Sequence, residues 1–256
     1  MKYPFTTCIL LGLAFIAGIE KTSAFALEPI ETFVERLFIH GVPYRTASRY
    51  TDADATKLET RFQQACLSQR VESPFCSNMA VTLGILAKPS SIPLMRSFID
   101  KPRTQMELPE FRAQTSAVIA LGYAINKTDD SATLDLLERR LWPSDWQPVL
   151  DRISLHTSLQ LTHAQLATEL QRATIIGLAL SGHEQAMHIL RDLLTNDAIQ
   201  RDRGLRFLVQ EALSANHVIA ASGLVCYYAG NIPACHDRTD RKPPPSSKHY
   251  RKMDPS

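Results

Sequence analysis

Three stretches decide the architecture of this 256-residue chain: VTLGILAKPSSIPLMRSFI (81–99), IALGYAINKTDDSATLDLLERRL (119–141) and TIIGLALSGHEQAMHILRDLL (174–194). Each is an apolar segment, a polar break of three to five residues, and a second segment of amphipathic helical pattern. In the third, Ala186, Ile189, Leu190, Leu193 and Leu194 fall at i, i+3, i+4, i+7 and i+8, one face of a helix. Gly84, Gly122 and Gly177 hold the same place in the three stretches, 38 and then 55 residues apart. A glycine inside a helix costs about 1 kcal/mol against alanine. Its recurrence therefore calls for a shared cause, most simply the close approach of a neighbouring helix. A period near 40 built of helix pairs is the spacing of a solenoid, and the longer interval has room for WPSDWQPVLDRISLHTSLQ (142–160).

Outward from this centre the pattern stays helical. Ile30, Phe33, Val34, Leu37 and Phe38 form one stripe, and Leu205, Leu208, Val209 and Ala212 form another. Capping-box spacing occurs at Thr51/Asp54, Thr56/Glu59 and Thr162/Gln165. No run alternates cleanly enough for a strand, so the fold class is all-α. Two outer pairs complete the reading. The first joins the Ile30 helix, through HGVPYRTASRYTDAD (40–54), to a helix carrying Leu58, Phe62 and Cys66. The last joins the Leu205 helix, through a break near SANH (214–217), to VIAASGLVCYY (218–228). The expectation is an α-solenoid of about four to five antiparallel helix pairs.

Ala120-Leu121-Gly122, with the partial matches Thr82-Leu83-Gly84 and Ile176-Gly177, resembles the short HEAT-like repeats of the phycobilin-lyase type. The resemblance covers about Leu83 to Leu213. The turns depart from the usual Gly-Asp, reading AKPSS, NKTDD and SGHE. What the resemblance implies is a solenoid with a binding role, its second helices lining the concave side. It does not imply the lyase reaction.

The ends of the chain read differently. MKYPFTTCILLGLAFIAGIEKTSAFALEPI (1–30) has Lys2, then an apolar run from Cys8 to Gly18, then Ala24-Phe25-Ala26, the order of a secretory signal peptide. Glu20 and Lys21 interrupt the run before the roughly 20 apolar residues a membrane helix needs. The expected division is a signal at 1–26, a helical repeat domain at 27–235, and a basic, Pro-rich disordered tail at 236–256. The exported product is periplasmic or secreted. It carries 26 basic and 25 acidic residues, a balance that gives no footprint for nucleic acid. Four of the 5 cysteines remain, Cys66, Cys76, Cys226 and Cys235. They allow three connectivities, of which the local pairs Cys66–Cys76 and Cys226–Cys235 are the simplest.

Motifs for chemistry are scarce. HEQAMH (183–188) has one residue too many for the metalloprotease helix, so its histidines diverge by about 140°. The Thr162 cap separates His156 from His163, and Asp129-Asp130 falls in a turn. No phosphate loop, dinucleotide fingerprint or nucleophile elbow occurs, and no cofactor, metal ligand or catalytic residue is expected. What remains is surface. Aligning the second helices on Met95, Leu137 and Leu190 places Arg96, Glu138 and Arg191 at equivalent outward positions, a ladder on the concave face. Tyr44 with Tyr50, and Tyr227 with Tyr228, sit in the outer pairs, where packing of connectors is the plainer use and an interface the bolder one. Asn126-Lys127-Thr128 is a sequon relevant only to a eukaryotic secretory route. The expected function is a scaffold for a protein or peptide. The rival is an enzyme or small-molecule binder related to the HEAT-like lyases, which would show a closed pocket where titratable groups meet.

Overall fold

The computed structural model describes residues 27–67, 75–156 and 160–229. The described residues form twelve helices and two short strands. In chain order the helices are α1 (Ile30–Val34), α2 (Tyr44–Ala47), α3 (Asp52–Cys66), α4 (Cys76–Leu86), α5 (Ser91–Ile99), α6 (Leu108–Thr128) and α7 (Ser131–Arg139). They continue as α8 (Pro143–Leu150), α9 (His163–Ser181), α10 (Glu184–Leu193), α11 (Asp197–Arg201) and α12 (Arg203–Ala229). The strands β1 (Gln105–Met106) and β2 (Ser154–Leu155) pair in parallel and tie together two connections between helices. The chain is all-α in class. The signal segment 1–26 and the tail 236–256 lie outside the described residues.

Each of the three deciding stretches folds as a hairpin: α4–α5, α6–α7 and α9–α10. Each first helix ends in a left-handed residue: Ala87 at φ 50°, Asp129 at φ 56° and Gly182 at φ 56°. A left-handed C-terminal residue satisfies last-turn carbonyls and reverses the chain, and in the second and third hairpins a side chain then caps the next helix. Asp130 accepts from the Ala132 and Thr133 amides, and His183 Nδ1 accepts from the Gln185 amide at 3.1 Å. The first helices pack in sequence order, α4 on α6, α6 on α9 and α9 on α12. Each second helix packs on the first helix of the following unit: α5 on α6, α7 on α9, α10 on α12. Helix α3 stands before the first hairpin in the equivalent place, touching α4 and α5.

This placement explains composition. First helices are enclosed, so α4 buries eight of its eleven residues and is apolar nearly all round. Second helices face outward on one side, and α10 buries only Ala186, Leu190 and Leu193. The glycines sit where first helices cross. A methyl at Gly84 would overlap the Ala120 carbonyl oxygen and stand 2.7 Å from Ala120 Cβ. One at Gly122 would overlap the Gly177 carbonyl oxygen. At Gly177 the nearest atoms, Val118 O at 3.1 Å and Leu137 Cδ1 at 3.3 Å, leave slightly more room. Side chains then bridge the units at their turn edge. Lys127 Nζ donates to the Leu86 carbonyl at 2.6 Å, Asn126 Nδ2 to the Ser181 carbonyl at 2.9 Å, and Asn216 Nδ2 to the Leu178 carbonyl at 2.9 Å. These are the carbonyls a helix C-terminus leaves without an intrahelical partner.

Several local expectations are corrected. Thr51/Asp54 and Thr162/Gln165 form capping boxes, but Thr56 and Glu59 lie inside α3. There Thr56 Oγ1 donates back to the Asp52 carbonyl, and Glu59 accepts from Ser90, Ser91 and Lys88 of the next unit. Helix α1 stops at Val34, which leaves Leu37 89% exposed rather than on the buried stripe. No break occurs at Ser214–His217: α12 runs through it and bends only at Gly223, at φ 77° and ψ 164°. Among the described residues, no second helix of the α5, α7 and α10 kind follows the fourth first helix. Cys66 and Cys76 are bonded, and Cys226 is disulfide-bonded as well. Its expected partner, Cys235, lies outside the described residues.

Candidate functional site: a groove between the last second helix and the last first helix

The exposed face of α12 follows helical spacing. Phe207, Gln210, Ser214, His217 and Ala221 are exposed, while Leu205, Val209, Ala212, Asn216 and Ile219 are buried. Phe207 is 62% exposed, unusual for a large aromatic side chain. Nine of the twenty-seven residues of α12 are buried, against twelve of nineteen in α9, because α9 packs on α6, α7, α8, α10 and α12 whereas α12 packs on α9, α10, α11 and α2. The uncovered side meets α10 in a groove.

Two adjoining depressions make up that groove. One, of about 320 Å³, is lined by Met187, Arg191 and Leu194 from the α10 side and by Gln210, Leu213, Ser214 and His217 of α12. The other, of about 380 Å³, shares Met187 and His217 and adds Gly182, Glu184, Asn216, Ala220 and Ala221. Met187, Leu194, Leu213, Ala220 and Ala221 supply the apolar part of the wall, and Glu184, Arg191, Gln210, Ser214, Asn216 and His217 the polar part. Arg191 makes no ion pair or side-chain hydrogen bond among the described residues, whereas Glu184 lies 3.9 Å from His188. Buried Asn216 spends its Nδ2 on the Leu178 carbonyl, and its Oδ1 has no hydrogen-bond partner.

Of the expected ladder, Arg191 joins this groove. Met95, Leu137 and Leu190 are all buried, and Arg96, Glu138 and Arg191 each follow one of them by one residue. Glu138 accepts from Gln185 Nε2 of the next unit at 3.3 Å. Arg96 is half-buried on α5. No contact joins the three into one site.

The remaining motifs resolve into structure. His183 caps α10 and donates from Nε2 to Asp129 Oδ1 at 3.2 Å, linking two turns. His163 opens α9 and contacts the Ile153 carbonyl at 2.8 Å, one helix start away from His156. The sequon amide of Asn126 is engaged on Ser181. Tyr50 packs on Phe33 and donates to the Glu28 carbonyl at 3.0 Å, so it is not Tyr44's partner. Tyr44 instead stacks on Tyr228 at 4.8 Å and on Tyr123 of α6 at 5.9 Å. The hydroxyls of Tyr123 and Tyr228 are 2.5 Å apart. Burial pushes the Tyr123 hydroxyl, and more mildly that of Tyr228, above the ordinary tyrosine value of 10.0. The bend at Gly223 thus sends the end of α12 to α2 and α6, away from the groove.

A polar cavity of about 550 Å³ lies elsewhere, lined by Arg103, Thr104, Gln105, Glu107, Glu110 and His156 among others. Arg103 is its centre but is internally committed. It donates to Glu110 Oε1 at 2.9 Å and to the carbonyls of Phe98, Ile99 and Lys101, and it sits over the Phe98 ring. Its chemistry is that of a clamp on the α5–α6 connection.

Reasoning from the sequence missed Met187, Gln210, Leu213 and His217. The available signal was the unbroken helical spacing through SANH. No group of three or more His, Cys, Asp or Glu able to hold a metal occurs among the described residues. No described helix is long and apolar enough to cross a membrane. Comparison with family models, with curated proteins and with solved structures finds no match to this chain.

Proposed function

We propose that this protein is an exported helical-repeat scaffold, an α-solenoid of HEAT-like units that binds a polypeptide partner without performing catalysis. The observation that carries this reading is the open, largely apolar groove between α10 and α12 with unpaired Arg191 at its rim. An open groove with apolar walls and few charges suits a polypeptide side-chain row better than a reacting small molecule. The sequential packing of α4, α6, α9 and α12 supports the solenoid part. The Cys66–Cys76 disulfide supports export, since such bonds persist in oxidising compartments. Affinity capture from the exporting compartment tests the function. A partner retained by the native chain and lost with Arg96→Glu plus Arg191→Glu supports it; unchanged capture with both reversals contradicts it.

A second reading, small-molecule binding or catalysis, rests on the polar cavity where Arg103, Glu107, Glu110 and His156 meet. It predicts that His156→Ala abolishes binding of a charged metabolite while leaving groove-dependent capture intact.

A further inference from the structure

Among the described residues, three first helices in succession carry a second helix, and the fourth does not. Helices α5, α7 and α10 are nine or ten residues long, and each lies against its own first helix and the next. Each presents apolar residues at helical spacing: Ile92, Met95, Phe98 and Ile99 on α5; Leu134, Leu136 and Leu137 on α7; Ala186, Leu190 and Leu193 on α10. A second helix belonging to α12 would lie on α12 beside α10, as α5 lies on α4 beside α3. That position is the groove. Its walls are Met187, Arg191 and Leu194 on one side and Gln210, Leu213 and His217 on the other.

Among the described residues the chain does not fill the position itself. Its continuation bends away at Gly223 to the tyrosine cluster of Tyr44, Tyr123 and Tyr228. The sequence 236–256 carries six Lys/Arg and no apolar periodicity. A second copy cannot offer α5, α7 or α10, since their apolar faces are packed inside their own fold.

We infer that the groove receives, in trans, one amphipathic helix of about ten residues from a partner polypeptide, which completes the fourth helix pair. Helix-in-groove binding reads apolar anchors at i, i+3, i+4 and i+7. Here Met187, Leu194 and Leu213 form the receiving surface, with Phe207 extending the exposed face of α12 beyond it. Arg191 has no acidic partner of its own, so the incoming helix carries an Asp or Glu on the flank facing α10. This inference rests on the reading of the protein as a polypeptide-binding scaffold.

The probes are two blocked twelve-residue helical peptides with leucine at i, i+3, i+4 and i+7, one with glutamate and one with lysine flanking that face. They are titrated into the mature, disulfide-intact chain labelled at the methionine methyls. Met187 lines both depressions, whereas Met79, Met95 and Met106 are buried, so its methyl resonance reports occupancy of the groove. The expected result is a saturable shift of Met187 with the glutamate peptide, at a Kd on the order of 10–100 μM. Arg191→Glu weakens that peptide by about five-fold or more and strengthens the lysine peptide correspondingly. Leu213→Glu abolishes both, with the circular dichroism spectrum of the native chain retained. Peptide binding that leaves Met187 unshifted overturns the inference while leaving the scaffold reading intact. So does a Met187 shift produced by unlabelled copies of the chain itself. No binding up to about 1 mM overturns the inference as well, and the capture experiment with Arg96 and Arg191 then decides the scaffold reading separately.

Discussion

Gly122 and Gly177 meet backbone to backbone: a methyl group on Gly122 would overlap the Gly177 carbonyl oxygen and stand 2.8 Å from its carbonyl carbon and Cα. Two helices that cross this closely need glycine at the crossing, because the obstructing atoms are main chain and cannot swing aside. Gly122→Ala is therefore expected to destabilise by about 2 kcal/mol or more, overpacking outweighing the roughly 1 kcal/mol gained in helix propensity. Gly177→Ala meets its neighbours at 3.1 and 3.3 Å and is expected within about 1 kcal/mol of the native protein. Urea unfolding of the two variants checks the contrast; equal effects contradict it.

Glu59 links α3 to the first hairpin. Its partial burial opposes its charge, but hydrogen bonds from Ser90, Ser91 and Lys88 outweigh that and hold its carboxyl below the ordinary value of 4.5. A depressed carboxylate contributes stability that is fully present above the unfolded value and lost as pH falls through the folded one. Glu59→Gln is thus expected to lower stability at neutral pH by about 1–3 kcal/mol, and the difference from the native chain should shrink as pH falls below 4.5. A difference independent of pH would contradict this.

Tyr123 and Tyr228 titrate the other way. Desolvation raises both above 10.0, so the unfolded chain loses these protons first. Stability from the cluster is complete below pH 10 and declines as pH rises beyond it. Tyr123→Phe should flatten that alkaline decline in thermal unfolding, and an unchanged slope would show that the cluster does not govern it.

The Cys66–Cys76 bridge spans ten residues between α3 and α4. Replacing both cysteines with alanine is expected to cost about 2–3 kcal/mol in the chain-entropy account. A loss under about 0.5 kcal/mol in denaturant titration would mean that packing of α3 on α4 suffices.

What was legible in the sequence was what local physics determines. Spacing of apolar residues gave α4–α5, α6–α7 and α9–α10 as pairs, Thr51 and Thr162 marked helix starts, and the glycines marked crossings. Thr56/Glu59 had the spacing of a cap, but the helix had already begun at Asp52, and the Glu59 carboxylate was recruited by residues thirty positions away. SANH resembled a break, yet Asn216 was drawn inward by the Leu178 carbonyl, and α12 continued. The meeting of Tyr44 with Tyr228 depends on the bend at Gly223 and on the whole row of helices between them, which no local pattern encodes. The groove was illegible for the same reason. Arg191 was found because it repeats a helical register, while its neighbours Gln210 and His217 come from α12, whose packing beside α10 only the assembled fold reveals.

The central claim is that the α10–α12 groove is where this protein meets its partner. Site-specific photocrosslinking in the exporting cell tests it most directly, with the reactive residue at Ser214 in the groove and, as a control, at half-buried Gln147 on α8. The account predicts a discrete adduct with another polypeptide from position 214, absent from position 147 and lost with Arg191→Glu. An adduct equally strong from both positions, or none from 214 while the chain is folded and exported, would contradict it.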